Sequence, residues 1–252
     1  MVSSILDSTP LVLTIDLHLS QDHRDLATLR KLNDFTRTIL EGLAKNQLVA
    51  TFGLDDPGHS QLAELIQKHG NHEIAIFADD CWSGAGVNNR VFSNELVRRI
   101  ESSRRQGIQI HSLLLETSPS EENWRSIRGS EVIAVRTGRL RKPAISPCQG
   151  VWDIATSTVY PVSNQWLPGL SKSSIPVVSC TSENFQPLHL LISGESAIRN
   201  RQMLEPQIQT LLEQCRDLKS RNAAQLYKLS ELARLLNQEQ HLGSLHSVRK
   251  AA

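Results

Sequence analysis

The sequence lacks any concentrated run of basic residues. Its 27 Lys and Arg and 26 Asp and Glu are interspersed, leaving a net charge of +1 over 252 residues. Nucleic acid and anionic membrane both need a basic face, so neither is an expected partner. No apolar run approaches the ~20 residues of a membrane helix. Met1 to Pro10 carry no basic cluster, and Leu11 to Ile15 is too short for a signal core and reads as a strand. The expected compartment is the cytoplasm. The four cysteines, Cys81, Cys148, Cys180 and Cys215, lie far apart without paired spacing. That excludes a disulfide framework and a zinc ribbon and points to reduced thiols. No glycine-rich phosphate loop follows any strand, so nothing indicates a nucleotide site. There is no internal repeat.

What is present is an ordinary soluble composition, 39% apolar and 21% charged, in a length that suits one large domain or two small ones. Strand-length apolar runs alternate with amphipathic stretches. The spacing predicts strands at Leu11–Leu17, Leu48–Phe52, Glu73–Phe77, Ile108–Leu115, Glu131–Val135 and Leu188–Ile192. It predicts helices at Arg24–Lys45, His59–His69, Ser93–Gln106 and Ser120–Arg128, with Gly107 placed to end the third. The alternation weakens between Thr137 and Pro187, where short apolar pieces remain at Gly150–Ile154 and Ile175–Val178. From Asn200 to Asn237 two outer helices are expected, broken near Asn222, and from Gln238 a frayed polar tail. Repeated βα units imply a mostly parallel sheet, open or closed into a barrel. In a barrel the ligand site lies at the strands' C-terminal ends.

The order of segments resembles the NodB-type polysaccharide deacetylases. "LVLTID" resembles that family's first strand, and "LVATFGLDD" its second. "LAELIQKHGNHEIAIF" is similar to its helix, turn and third strand. "GVWDIATS", "PLHLLISG" and "LYKLSELARLL" resemble later segments. The likeness runs in order from Leu11 to Leu236 and implies a distorted (β/α)7 barrel with mostly parallel strands and outer helices, one domain spanning 1–252. It also implies metal-assisted hydrolysis of a sugar N-acetyl group. In that chemistry one Asp is the base, a second Asp and two His hold the cation, and a later His is the acid.

Most of that machinery is missing. Asp16 matches the base and Arg136 the arginine that orients it, and these two are the candidate catalytic residues. Leu17 replaces the metal-binding Asp, and Phe77 and Cys81 replace the histidines. Ser193 or Ile192 falls at the acid His, with His189 nearby. A hydrocarbon cannot ligate a cation, so no metal site is encoded and no cofactor is expected. The alternative is one divalent ion such as Zn, in a rearranged site on Asp16, His18, Asp55 and Asp56. Candidate ligand-binding residues at the strand-end rim are His18, Asp55, Asp56, Asp79, Asp80, Trp82 and His189. Each has a plainer role. Asp56 or Ser60 suits a helix cap and Asp79 and Asp80 a solvated loop or cap. Asp16 suits a buried pair with Arg136, His111 and His189 core hydrogen bonding, and Trp82, Trp124, Trp152 and Trp166 packing.

Three functions follow. The leading one is a non-catalytic relative that binds a carbohydrate, another small molecule or a protein at the rim. The second is an active carbohydrate N-deacetylase, a hydrolase of carbon–nitrogen bonds outside peptides. The third is a scaffold whose C-terminal helices meet a partner or a second copy of the chain.

Overall fold

The computed structural model describes residues 8–84, 86–138, 145–148, 150–160 and 187–250. The expected piece Ile175–Val178, Trp166 and Cys180 lie outside the described residues. Parallel strands β1 (Thr9–Asp16), β2 (Thr51–Leu54), β3 (Glu73–Ala78), β4 (Ser112–Leu115) and β5 (Ala134–Thr137) follow one another through helices. Between them come α1 (Leu26–Lys45), α2 (Gln61–Lys68), α3 (Asp80–Ser83), α4 (Asn89–Arg105) and α5 (Glu121–Arg128). The chain continues through β6 (Ile145–Cys148), β7 (Val151–Ile154), β8 (Thr158–Tyr160) and β9 (Leu188–Ser193). It ends with α6 (Gly194–Arg199), α7 (Arg201–Ser220), β10 (Ala224–Tyr227) and α8 (Leu229–Lys250).

The sheet order is β6-β7-β5-β4-β3-β2-β1-β9-β8, and β10 also pairs with β1. Every ladder among the described residues is parallel except β6 with β7. β1 is the centre. β9 lines one edge from Leu11 to Asp16, while β10 pairs with residues 9–12 and β2 with residues 14–16. The sheet curls into a half-barrel with helices around it, the distorted (β/α) barrel anticipated from the sequence.

Strand alternation sorts the core into two. Leu13, Ile15, Phe52, Ile76 and Leu113 point outward and join Phe35, Ile39, Ile66, Phe92, Ile127 and Leu212 of the covering helices. Val12, Ala75, Phe77, Leu114 and Ala134 point inward and meet Trp152, Ile154, Leu229, Leu232, Ala233 and Leu236. Helix termini follow local chemistry. Asp25, Ser60, Asn88 and Ser120 each accept a hydrogen bond from a backbone N–H in the first turn of α1, α2, α4 and α5. Gly107, at φ 73°, takes the left-handed conformation just past α4.

Three differences from the sequence reading concern the C-terminal region. The break near Asn222 holds a strand: Asn222 takes φ 55°, and Ala224–Tyr227 pairs with β1. Its four residues are too few to show a period against two long helical patterns. Of the two long C-terminal helices, α7 alone lies outside. α8 packs on the inner face, because Leu229, Leu232, Ala233 and Leu236 form an apolar stripe whose partner the sequence does not disclose. The helix then runs on to Lys250 instead of fraying from Gln238, and apolar residues recur at 242, 245 and 248.

The start of α8 is pinned by Glu73. Its Oε2 accepts from Thr51 Oγ1 (2.9 Å) and Ser230 N (3.1 Å), and its Oε1 accepts from Ser112 Oγ (2.7 Å). Thr51 Oγ1 in turn accepts from Leu229 N at 3.0 Å. Glu73→Ala strands several buried donors at once, each worth roughly 1–3 kcal/mol. Urea unfolding should show a loss of at least ~3 kcal/mol; a change under ~1 kcal/mol would mean that α8 docks without this carboxylate.

Candidate functional site

Parallel strands deliver their C-terminal ends to one side, and the polar residues gather there. Asp16 ends β1, His18 follows it, and Asp55 and Asp79 follow β2 and β3. At the centre Arg136 donates from both terminal nitrogens to Asp16, NH1 to Oδ1 at 2.7 Å and NH2 to Oδ2 at 3.0 Å. Arg136 is 0% and Asp16 3% exposed. This is the fork-on-fork geometry that suits guanidinium and carboxylate. Gly53 makes the space, since a Cβ there would meet Leu114 Cδ1 at 2.6 Å and Asp16 Oδ1 at 3.4 Å.

Phe77, 0% exposed, lies beside the pair with the Arg136 guanidinium carbon 5.9 Å from its ring centre. The His18 ring stacks on Phe77, centroids 4.6 Å apart and planes 19° from parallel. Nδ1 of His18 donates to Asp55 Oδ1 at 2.5 Å. Burial alone would strip His18 of its proton. The hydrogen bond and charge of Asp55, with Asp79 and Glu116 behind, outweigh burial and raise its pKa above the ordinary histidine value. Arg24 completes the rim, donating to Asp55 Oδ2 at 2.8 Å and to the Leu19 carbonyl at 3.0 Å. The result is a charged but internally paired collar over an apolar floor.

The other candidates divide. Asp56 pairs with Arg98 at 3.0 Å on the outer surface and does not cap with its side chain; Ser60 does. Asp79 caps α3, accepting from Cys81 N at 3.1 Å, and also faces Arg24 at 3.9 Å. Asp80 is exposed, 3.4 Å from Thr117 Oγ1. Two assignments need correction. Trp82 is 5% exposed, with Phe92 stacked against it and the Arg99 guanidinium 4.6 Å over its ring, so no face is left for a sugar. His189 is 0% exposed and in register with Val12, four residues below Asp16. Burial and the charge of Arg136 hold it down to about 3. As the neutral ring it donates from Nδ1 to the Ile154 carbonyl and accepts at Nε2 from Thr14 Oγ1, both at 3.1 Å.

Register settles the other end of the site. Ser193, not Ile192, shares Asp16's face, and its hydroxyl caps α6; Ile192 packs in the outer core. Asp153 accepts from the amide and hydroxyl of Thr137. Burial raises Cys148 and pushes Cys215 up to about 12, so neither is a thiolate at neutral pH. Sequence reasoning missed Arg24, whose only signal was a basic residue ahead of a helix. It also missed Glu73's role.

The residues do not fit a divalent cation. Leu17 and Phe77 offer carbon, both oxygens of Asp16 face a guanidinium, and Cys81 Sγ accepts from Gln21 Nε2 at 3.3 Å. Among the described residues no group of three or more His, Cys, Asp or Glu is placed to hold a metal ion. No described helix is long and apolar enough to cross a membrane.

No protein-family model matches the chain, and no curated protein matches it. Solved structures do. The chain is similar to a 4-alpha-glucanotransferase from Thermococcus litoralis, with TM-score 0.63 and 13% identity over 89% of this chain and 40% of that one. It is also similar to a probable polysaccharide deacetylase from Pseudomonas aeruginosa PAO1, with TM-score 0.56 and 9% identity over 91% of each chain. The chain has the polysaccharide deacetylase fold. A CE4 family pseudoenzyme from Bacillus anthracis shares it as well, with TM-score 0.53 and 12% identity over 90% of this chain and 66% of that one. The chain thus spans well under half of the glucanotransferase and just under two thirds of the pseudoenzyme.

Two measurements test this deacetylase-fold site. Arg136→Met strands the Asp16 charge and should cost about 3–5 kcal/mol in urea unfolding, most of it recovered by adding Asp16→Leu. If the double variant is no better than the single one, the pair is not a coupled unit. For His18 the folded pKa is raised, so its stabilising contribution is full below about pH 6.5 and fades as pH rises through the folded value. The stability gap between wild type and His18→Gln should therefore shrink between pH 6 and 9. A gap that widens over that range would contradict the pairing with Asp55.

Proposed function

We propose that this chain is a non-catalytic relative of the polysaccharide deacetylases, working without a metal cofactor and binding a carbohydrate at its strand-end collar. One observation carries the proposal. Where metal-assisted hydrolysis needs lone pairs around a water, this chain puts the buried ring of Phe77 and the side chain of Leu17. Asp16, the remaining candidate base, is enclosed and forked by Arg136. With no cation to acidify a water beside it, that carboxylate has no activated nucleophile to serve.

The collar supports binding instead. His18, Arg24, Asp55 and Asp79 present fixed donors and acceptors at the mouth of the half-barrel, where this architecture places ligands. Hydroxyl-rich molecules can exchange hydrogen bonds with such charged groups, directly or through water.

Purified protein should carry no stoichiometric Zn, Co, Ni or Mn, and should release no acetate from chito-oligosaccharides with or without added metal. Metal lost on Asp16→Asn, or chelator-sensitive acetate release, would overturn the proposal. A glycan panel should contain an oligosaccharide that raises the melting temperature with saturation, and Arg24→Ala should weaken it about tenfold, about 1.4 kcal/mol. No shift across a broad panel removes the carbohydrate reading and leaves a protein partner.

A further inference from the structure

The opposite end of the half-barrel holds a second recess. A cleft of about 340 Å³ opens between the starts of β3 and β4 and the first turns of α8. Gln67, His72, Gln109, His111, Lys228 and Arg234 line it. Its formal charges balance, Lys228 and Arg234 against Glu73 and Glu231, but its hydrogen-bonding groups are unevenly occupied. The carboxylate of Glu73 also borders the cleft, but both of its oxygens are taken by Thr51, Ser112 and the Ser230 amide. Lys228 is matched by Glu231 at 2.7 Å and by Asn71 Oδ1 at 3.0 Å. Arg234 has no hydrogen bond or ion pair among the described residues, so its planar fork of donors is the group left open to a ligand.

We propose that this cleft binds a small molecule carrying an oxyanion, a phosphate or carboxylate group, gripped by Arg234 with Gln67, Gln109 and the two histidines around it. The chemistry is one-sided. Arg234 brings a fork of N–H donors, the two amides can turn N–H groups toward it, and the acidic group at the wall is already hydrogen-bonded. The cleft is at the lower end of ligand-pocket volumes, roughly 300–1,000 Å³, which suits a molecule of monosaccharide size. His72 senses this surrounding: burial, then the charges of Lys228 and His69, hold it down to about 4. Its Nδ1 is enclosed without a hydrogen-bond partner, and an arriving anion would favour its protonated form. This site is independent of the collar, since it lies beneath the strands' N-terminal ends.

The test uses the full chain at constant ionic strength. Inorganic phosphate and citrate are titrated separately against a chloride control, with melting temperature and the His72 ring resonances as readouts. A saturable rise with either anion, weakened at least tenfold by Arg234→Gln and accompanied by a shift of the His72 resonances, bears the proposal out. Response to phosphate alone assigns a phosphoryl ligand, and response to citrate alone a carboxylate. Arg234 is exposed and unpaired among the described residues, so its substitution should leave the fold intact. No saturable response beyond chloride, or a response untouched by Arg234→Gln, overturns it.

Discussion

A carboxylate and a guanidinium enclosed together impose the strictest condition on this molecule. Asp16 and Arg136 stand on β1 and β5, strands separated in the sheet by β2, β3 and β4. Their bond spans the inside of the curl. Neither charge can be left alone there, because removing one partner exposes the other to the full cost of dehydration. The strand curvature, the missing side chain at Gly53 and the ring of Phe77 all serve that geometry. Any change that alters the curl must also break or rebuild the pair.

The inner core divides into storeys with different tasks. At the lower storey α8 fills the curl with leucine, and Glu73 fixes its first turn. In the middle His189 and Thr14 satisfy one another in a dry environment. At the top charges pair across loops that follow different strands. The collar at this last storey and the cleft beneath α8 carry the polar side chains on which a ligand could be met. Structural neighbours of this fold include a glucanotransferase, a probable deacetylase and a pseudoenzyme, so the scaffold does not dictate the chemistry.

Much of this was legible in the sequence, for particular reasons. β1 through β5 and β9 were visible because strands covered on both faces read as nearly continuous apolar runs. Asp16 and Arg136 could be put together because the deacetylase resemblance implies an arginine beside the strand-end carboxylate, and a charge ending an apolar strand needs a partner. β10 was invisible, being four residues between long helical patterns. The position of α8 was hidden for a different reason: an apolar stripe says that a helix is covered, not by which side of a sheet. Trp82 and His189 looked available because sequence order carries no depth. Asp56 looked like part of the collar because it adjoins Asp55, yet neighbouring residues in an extended segment point to opposite sides.

β1 takes its partners from both later parts of the chain, β9 from residue 188 and β10 from residue 224. As the chain folds, therefore, β1 finds β2 close by in the sequence and its other partners only far along it. Its other edge waits for β9 at residue 188 and its lower half for β10 at residue 224. Contacts so distant along the chain are slow to form, and an apolar strand waiting that long is a target for misassociation.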